Sequence, residues 1–347
     1  MKVLIFSDIH WSQNTSILRS YGERYSTRLE LLVSTMDWIN RTAVERGCSA
    51  MVCAGDMMDR SDCNDMELTA LGDIRWNPGM PCYFLVGNHE SSVMDLRYTT
   101  LKPLESETKT IIGTPTGFTW GGSQVHFVPY VTEDMRKPLN EYLHNVDRSL
   151  HQVVISHNDI KGIRYGKYES RSGFGLDEIE GCCDLYLNGH IHNGSRIGSK
   201  VVNLGSSTAH NFSNDSSKFH YGIWILDTDT LGLEFIENPY SLNFYKFDIS
   251  SIDDMGCLGN LRDHAIVSAR CPDSIKEEVR EALVGNPHVL LHKLIVSANP
   301  VGDSVTGNSA TASLGGLDYM ERFREFIMEN MGKDSIVMEE LGEVCKQ

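Results

Sequence analysis

Five short clusters in this sequence carry side chains able to hold metal ions. They are Asp8-Ile9-His10, Gly55-Asp56-Met57-Met58-Asp59, Gly87-Asn88-His89-Glu90, Ser156-His157-Asn158 and Gly189-His190-Ile191-His192. Their donors are oxygens and imidazoles: Asp8, His10, Asp56, Asn88, His157, His190 and His192. Such a mixture suits borderline divalent ions (manganese, iron or zinc) better than magnesium or calcium, which prefer all-oxygen surroundings. Seven donors are too many for one ion of this type and suit two ions sharing a carboxylate. The alternation in D-x-H and H-x-H lets two donors leave one short turn toward neighbouring ions. Glycines at 55, 87 and 189 permit tight turns where the backbone must approach them. Taken singly, each cluster reads as well as a turn or a hydrogen-bonded histidine. The ordered set carries the chemistry.

Each cluster follows an apolar run that reads as a strand. The runs are 2–7, 50–54, 82–86, 152–156 and 184–188, with a further one at 124–129. Between the first two lies a helix over 27–46, with Leu29, Leu32, Val33, Met36, Ile39 and Ala43 at helical spacing and Gly47 as its stop. Residues 66–74 read as a second helix. Near-continuous apolar strands alternating with helices predict a sheet buried on both faces. Ligand sites gather outside the carboxyl ends of strands in such sheets, so five separated segments converge on one place. Runs at 201–204, 221–227 and 233–237, with no helices between them, predict a second sheet packed on the first.

The pattern changes after residue 248. A strand at 264–270 is followed by a helix at 274–284, with an S-x-x-E capping box (Ser274, Glu277), an apolar stripe (Ile275, Val279, Ala282, Leu283) and Gly285 past its end. A strand at 289–296 completes a small unit. Residues 297–316, rich in Ser, Gly, Asn and Thr, read as a flexible linker. A last helix at 318–331 carries Tyr319, Phe323, Phe326, Ile327 and Met331 on one stripe. That stripe suits packing on its own domain and docking to a partner alike.

Composition sets the bounds. The chain has 347 residues, 41% apolar and 22% charged, as a soluble globular protein does. It has no internal repeat and no apolar run of membrane-spanning length. Its opening does not read as a signal peptide, and an intracellular, cytoplasmic protein is expected. The nine cysteines form no C-x-x-C pair. Cys53 and Cys82 read as buried free thiols, and nothing nearby completes a site around Cys182 and Cys183. The net charge of −16 counts against a stand-alone nucleic-acid binder unless metals or a partner offset it. Outside the clusters, His126, His144, His151, His264, His288 and His292 read as surface or hydrogen-bonded residues. His210 and His220 have some prospect of lying near a substrate. Trp38, Trp120 and Trp224 read as core or sheet packing.

The ordered set D-x-H, G-D-x-x-D, G-N-H-[DE], H and G-H-x-H resembles the calcineurin-like metallophosphoesterase superfamily over residues 1–192. The resemblance implies one metal held by Asp8, His10, Asp56 and His192, and a second held by Asp56, Asn88, His157 and His190. Asp56 would bridge them. Two neighbouring ions would activate a water for in-line attack on phosphorus. His89 would be the acid that serves the leaving oxygen. Asp59 would stand beside the ligands, or cap a turn, rather than bind metal. The fold implied is α/β (α+β): a four-layer metallophosphoesterase β-sandwich flanked by helices over 1–248, then a small α/β capping domain at 249–296, a linker at 297–316 and a C-terminal helical docking segment at 317–347.

Three branches of the family compete. Protein Ser/Thr phosphatases share Asp59-Arg60 and Glu90 but carry Arg where Val86 stands and lack G-H-x-H. Small-molecule phosphodiesterases keep G-H-x-H on little more than the core. SbcD-type nucleases, phage members above all, continue with a strand, a G-S turn, polar residues and strands leading to a cap. Here Val201 to Ser206 precede Phe212, Lys218 and Tyr221-Gly222-Ile223-Trp224 in that manner. Glu90 and Ser207 stand where that branch more often has Asp and Pro. The resemblance thus implies a DNA exo- or endonuclease subunit of a recombination and repair complex. Its metals would be two Mn2+, with Fe2+, Zn2+ or Mg2+ as alternatives. Its partners would be DNA, an SbcC-type coiled-coil ABC ATPase docked through Tyr319, Phe323, Phe326 and Ile327, and a second copy of the chain. A small-molecule phosphodiesterase and an inactive scaffold for the ATPase are the alternatives.

Overall fold

The apolar runs pair side by side as strands buried on both faces should. The structure is a computed structural model and describes residues 1–13, 22, 24–91, 95–143, 145–165 and 168–297. In chain order come β1 (Lys2–Phe6), α1 (Thr27–Glu45), β2 (Ala50–Cys53), α2 (Asp65–Asp73), β3 (Cys82–Leu85), β4 (Lys109–Ile112), β5 (Thr116–Trp120), β6 (Ser123–Val128) and β7 (His151–Ser156). Four short strands follow: β8 (Ile160–Lys161), β9 (Arg164–Tyr165), β10 (Tyr168–Glu169) and β11 (Phe174–Gly175). Then come α3 (Leu176–Cys182), β12 (Leu185–Asn188), β13 (Ser195–Ile197), β14 (Val201–Asn203), β15 (Gly222–Asp227), β16 (Gly232–Glu237), β17 (Asn243–Asp248), β18 (Ala265–Pro272), α4 (Lys276–Gly285) and β19 (Val289–Ser297).

Two six-stranded sheets carry the site. The first runs β16-β15-β1-β2-β3-β4, with β1 to β4 parallel and β15 antiparallel to β1. The second runs β13-β14-β12-β7-β6-β5, with its four central strands parallel. Val3, Ile5, Val52 and Leu85 from the first sheet meet Phe127, Val153, Ile155 and Leu187 from the second in a shared core. Because side chains alternate along a strand, Leu4 and Phe6 of β1 face the other way, onto Leu29, Leu32, Met36 and Ile39 of α1. On the far face of the second sheet, Val154 and Tyr186 pack with Ile179 of α3, Leu139 and Phe174. The layers are therefore helix, sheet, sheet, helix. Burying each such aliphatic or aromatic side chain stabilises by roughly 1.5–3 kcal/mol.

The sequence places 201–204, 221–227 and 233–237 together in the second sheet. Only β14 lies there. β15 and β16 extend the first sheet beyond β1, in a register that sets Ile5 against Trp224. The physical reason is that β15 is itself apolar on both faces. Ile223 and Ile225 join the core under α1, and Leu226 joins the core between the sheets.

A third sheet, β17-β18-β19, is all parallel. Val267 and Ala269 on one face pack against Val279 and Leu283 of α4. Phe244 and Ile266 on the other pack with Ala209, Tyr221 and Leu242. The capping box expected at Ser274 and Glu277 does not form. Asp273–Ile275 is a 3-10 turn, α4 begins after it, and no side chain caps its first turn. Cys53 and Cys82 are buried free thiols, and burial pushes both pKa values up. Trp38 and Trp120 are buried, as packing residues should be. Among the described residues, no helix is long and apolar enough to cross a membrane. Beyond residue 297, the expected linker and helix, with Tyr319, Phe323, Phe326 and Ile327, lie outside the described residues, as does His144.

Candidate metal centre

The carboxyl ends of five parallel strands bring the donors together. Asp8 and His10 follow β1, Asp56 follows β2 and Asn88 follows β3, neighbours in the first sheet. His157 follows β7, and His190 and His192 follow β12, neighbours in the second. The turns after β1 and β2 are joined by backbone hydrogen bonds, Asp8 N–H to Gly55 O and His10 N–H to Asp56 O, both 3.0 Å. Asp8, His10, Asp56 and His190 all adopt left-handed backbone, with φ between 49° and 72°. Each such residue without glycine's freedom costs on the order of 1 kcal/mol, a strain that packed surroundings must hold. Two glycines are required by contact. A Cβ on Gly55 (φ +102°) would strike the His157 ring, and one on Gly87 would strike the Asp56 carboxylate.

The donors form two sets that share Asp56. In the first, His10 Nε2 lies 3.0 Å from His192 Nε2, 3.8 Å from Asp56 Oδ2 and 4.0 Å from Asp8 Oδ1. His192 Nε2 lies 3.8 Å from Asp8 Oδ1. In the second, His157 Nε2 lies 3.0 Å from the same Asp56 Oδ2, and His190 Nδ1 lies 3.0 Å from Asn88 Oδ1. Asp8, His10 and Asp56 are within ligating reach of one ion, and Asp56, His157 and His190 within reach of another. Asp8 Oδ1 and His157 Nε2 are fully buried yet make no hydrogen bond. Buried polar atoms without hydrogen bonds are costly, and a cation in each set would satisfy one of them. The donor chemistry and the orphaned atoms therefore fit a pair of divalent ions.

Neighbouring groups aim the rings. The Ala54 carbonyl accepts from His157 Nδ1 at 2.8 Å, so Nε2 presents its lone pair. Asp59 Oδ1 stands 3.3 Å from His10 Nδ1 and does the same for that ring. The resemblance put Asp59 beside the ligands; in the structure its carboxylate also lies within ligating reach of one ion together with His10 and His89. Asp159, which sequence reasoning passed over, stands 3.4 Å from His190 Nε2 and leaves Nδ1 toward Asn88. Glu90 is wholly buried and accepts from the backbone of Asp56, Met58 and Gly87, tying two donor turns together. Its signal in the sequence was only its place after G-N-H. His89 is partly exposed. Its Nδ1 donates to the Asp59 carbonyl at 2.5 Å, and its Nε2 lies 4.0 Å from Asp56 Oδ2. His210 meets the centre, its ring 4.7 Å from that of His10, whereas His220 pairs with Glu237.

The charges are arranged for cations. Burial would raise the Asp56 carboxyl, but the imidazoles of His157, His10 and His89 outweigh it and hold it far below the ordinary range. Burial would lower His157, yet Asp56, Asp8 and Glu90 outweigh it and hold that imidazole up at about 10. His192 is lowered to about 4 by burial, with the His10 and His190 rings adding to it. Buried carboxylates here thus draw positive charge from whatever is nearby.

No curated protein matches the sequence. Among solved structures, protein TT1561 of Thermus thermophilus is similar over 68% of this chain and 98% of its own, at 15% identity and a TM-score of 0.37. A dimetal phosphatase from Danio rerio is similar over 65% of this chain and 91% of its own, at 10% identity and a TM-score of 0.36. The model of the calcineurin-like phosphoesterase family matches residues 1–194, a span that holds all seven donors and more than half the sequence. This chain belongs to that family, whose members bind two divalent metals and hydrolyse phosphoesters.

Proposed function

We propose that this protein is a two-metal phosphodiesterase acting on DNA, the nuclease subunit of an SbcCD-type complex in the cytoplasm. The observation that carries the chemistry is the place of Asp56 in two donor sets at once. Two cations bound there would polarise the phosphoryl oxygens and make a water acidic enough to attack at neutral pH. The protein's own groups do the rest. Ala54, Asp59 and Asp159 hold three imidazoles in ligating orientation. His89, its Nδ1 committed to the Asp59 carbonyl, keeps Nε2 for the leaving oxygen and donates a proton there. The mixed oxygen and nitrogen donors suit manganese, iron or zinc, and the resemblance to the SbcD branch puts manganese first among them.

Two features support DNA as the substrate. The motif order and the Gly205-Ser206 turn resemble the SbcD branch, although Ser207 stands where that branch more often has Pro. The third sheet, in the place of that branch's cap, is anchored at Ala209 and Tyr221, close to His210 at the centre. A DNA-bound ATPase partner would offset the net charge of −16, and the aromatic stripe Tyr319, Phe323, Phe326 and Ile327 would dock on its coiled coil. A second copy of the chain would complete the complex. The same charge favours a second reading, a small-molecule phosphodiesterase, since an acidic protein repels a polyanion.

The test is hydrolysis by the purified chain with manganese, on a linear duplex and on bis(p-nitrophenyl) phosphate, beside His89→Ala. Both substrates are expected to be cut. The variant is expected to lose DNA cleavage while still binding manganese. Cleavage of the ester alone, even with an SbcC-type partner added, would move the substrate to the second reading. Cleavage of neither by a metal-loaded chain would refute the phosphodiesterase itself.

A further inference from the structure

Two side chains grip the D-x-H turn from behind, and the two-cation reading uses neither of them. The amides of Asp8 and His10 are taken by carbonyls of the neighbouring turn, and their own carbonyls go elsewhere. His210 Nε2 donates to Asp8 O at 2.8 Å. Arg28 Nη2 donates to His10 O at 3.1 Å. The two grips are joined, because Arg28 Nη2 also stands 3.2 Å from His210 Nδ1. A carbonyl only accepts and a guanidinium only donates, so the proton of His210 sits on Nε2 and its Nδ1 is the acceptor. Both ring nitrogens are thereby engaged. In this arrangement His210 has no lone pair left for a metal, although it lies within ligating reach of one ion with His10 and His192, its ring 4.7 Å and 5.0 Å from theirs.

Arg28 is 4% exposed, and its Nε and Nη1 are buried without hydrogen-bond partners among the described residues. A buried guanidinium with two idle donors is a poor source of stability. Its use lies in what Nη2 holds. Arg28 comes from the first turn of α1 and His210 from the segment after β14, so two remote elements close on one turn.

We propose that Arg28 and His210 are positioning residues, a clamp that keeps the D-x-H turn in its left-handed form and so aims Asp8 and His10 at the first cation. This rests on the metal-centre reading above. The clamp acts on one half of the centre. Among the described residues, Asn88, His157 and His190 make no hydrogen bond to Arg28 or His210.

The test is calorimetric titration of manganese into the metal-free chain, with urea unfolding of the same samples and ester hydrolysis at low and saturating manganese. Wild type is compared with His210→Ala, His210→Gln and Arg28→Met. Wild type is expected to take up two ions. His210→Ala and Arg28→Met are expected to weaken one of them about 10–100-fold and leave the other and the urea midpoint near wild type. Ester hydrolysis should fall at low manganese and recover at saturation. His210→Gln, whose amide can donate to the Asp8 carbonyl, should return that affinity to within about 3-fold of wild type. Unchanged uptake in both truncated variants would overturn the clamp. So would loss of both ions together with the urea midpoint, which would mark general packing. A glutamine variant as weak as alanine would make His210 a ligand, against the proposal. A wild type that takes up fewer than two ions would remove the metal-centre reading, and the clamp with it.

Discussion

The central strands of the two large sheets and the edge strand of the third sheet differ in how much of themselves they hide. β2 and β6 are buried at every residue, and β1 and β7 at all but the first. β19 has no fully buried residue and leaves Leu290, Leu291 and Val296 exposed. The difference shows where this fold can hold a strained turn. Left-handed backbone at Asp8, His10 and Asp56 persists because the strands before those residues are packed on both faces and cannot shift to relieve it. The third sheet holds one left-handed residue, His264 (φ 58°) before β18, but it carries no donor and tolerates a half-covered edge. Chemistry should therefore be sensitive to changes in the first two sheets and indifferent to most changes in the third.

The largest test of that contrast is Asp56→Asn. It removes the carboxylate common to both donor sets. Ester hydrolysis with manganese should fall on the order of 10³-fold or more, with loss of uptake of at least one ion by titration. A comparable fall from any third-sheet substitution would break the comparison. Gly87→Ala comes next. The added methyl collides with the Asp56 side chain and stands 2.7 Å from its backbone nitrogen, so the shared ligand must move. A displacement near 1 Å costs roughly 10²-fold in rate. The check is kcat on the same ester at saturating manganese, and wild-type turnover would show that the turn yields without moving the ligand.

Core truncation separates the two regions by stability. Phe127 is fully buried between the two large sheets, and Phe127→Ala should lower unfolding free energy by about 3–5 kcal/mol in urea. Leu283 is 1% exposed under the third sheet. Leu283→Ala should cost about 2–3 kcal/mol and leave ester hydrolysis intact in the fraction that stays folded. If the third-sheet variant also lost hydrolysis while folded, the two regions would be one mechanical unit.

Much of this was legible in the sequence, for reasons tied to particular residues. The donor clusters stood out because each follows an apolar run, and a strand buried on both faces writes itself as such a run. α1 ends one residue earlier than the pattern 27–46 because Arg46 is its cap. What escaped was set by contacts across the fold. Nothing local distinguishes β15 as a neighbour of β1, since a strand apolar on both faces suits either sheet. Ser274 carried the right spacing for a capping box but fell into a 3-10 turn. Arg28 reads as an ordinary polar helix residue, and its partner His210 lies 182 positions away. Both act on backbone carbonyls, which leave no mark on residue type. Asp159 escaped for the same kind of reason, since its role depends on the direction of the His190 ring.

The smallest expected effect sharpens the contrast most. Val284 sits near the end of α4 and is 69% exposed, one position after the buried Leu283. Val284→Ser removes two methyl groups from a face that already meets water, so urea unfolding should shift by no more than about 0.5 kcal/mol. Ester hydrolysis should be unchanged, because α4 packs on the third sheet and carries no donor. Two departures from that outcome would be informative. A loss above about 1 kcal/mol would mean that another part of the folded chain covers this face, since only buried apolar surface carries that much. Slower DNA cleavage with normal ester hydrolysis would mean that the third sheet meets the polymer while the metal centre works unaided. That result would turn the indifference of this region from a property of the fold into a property of the small substrate.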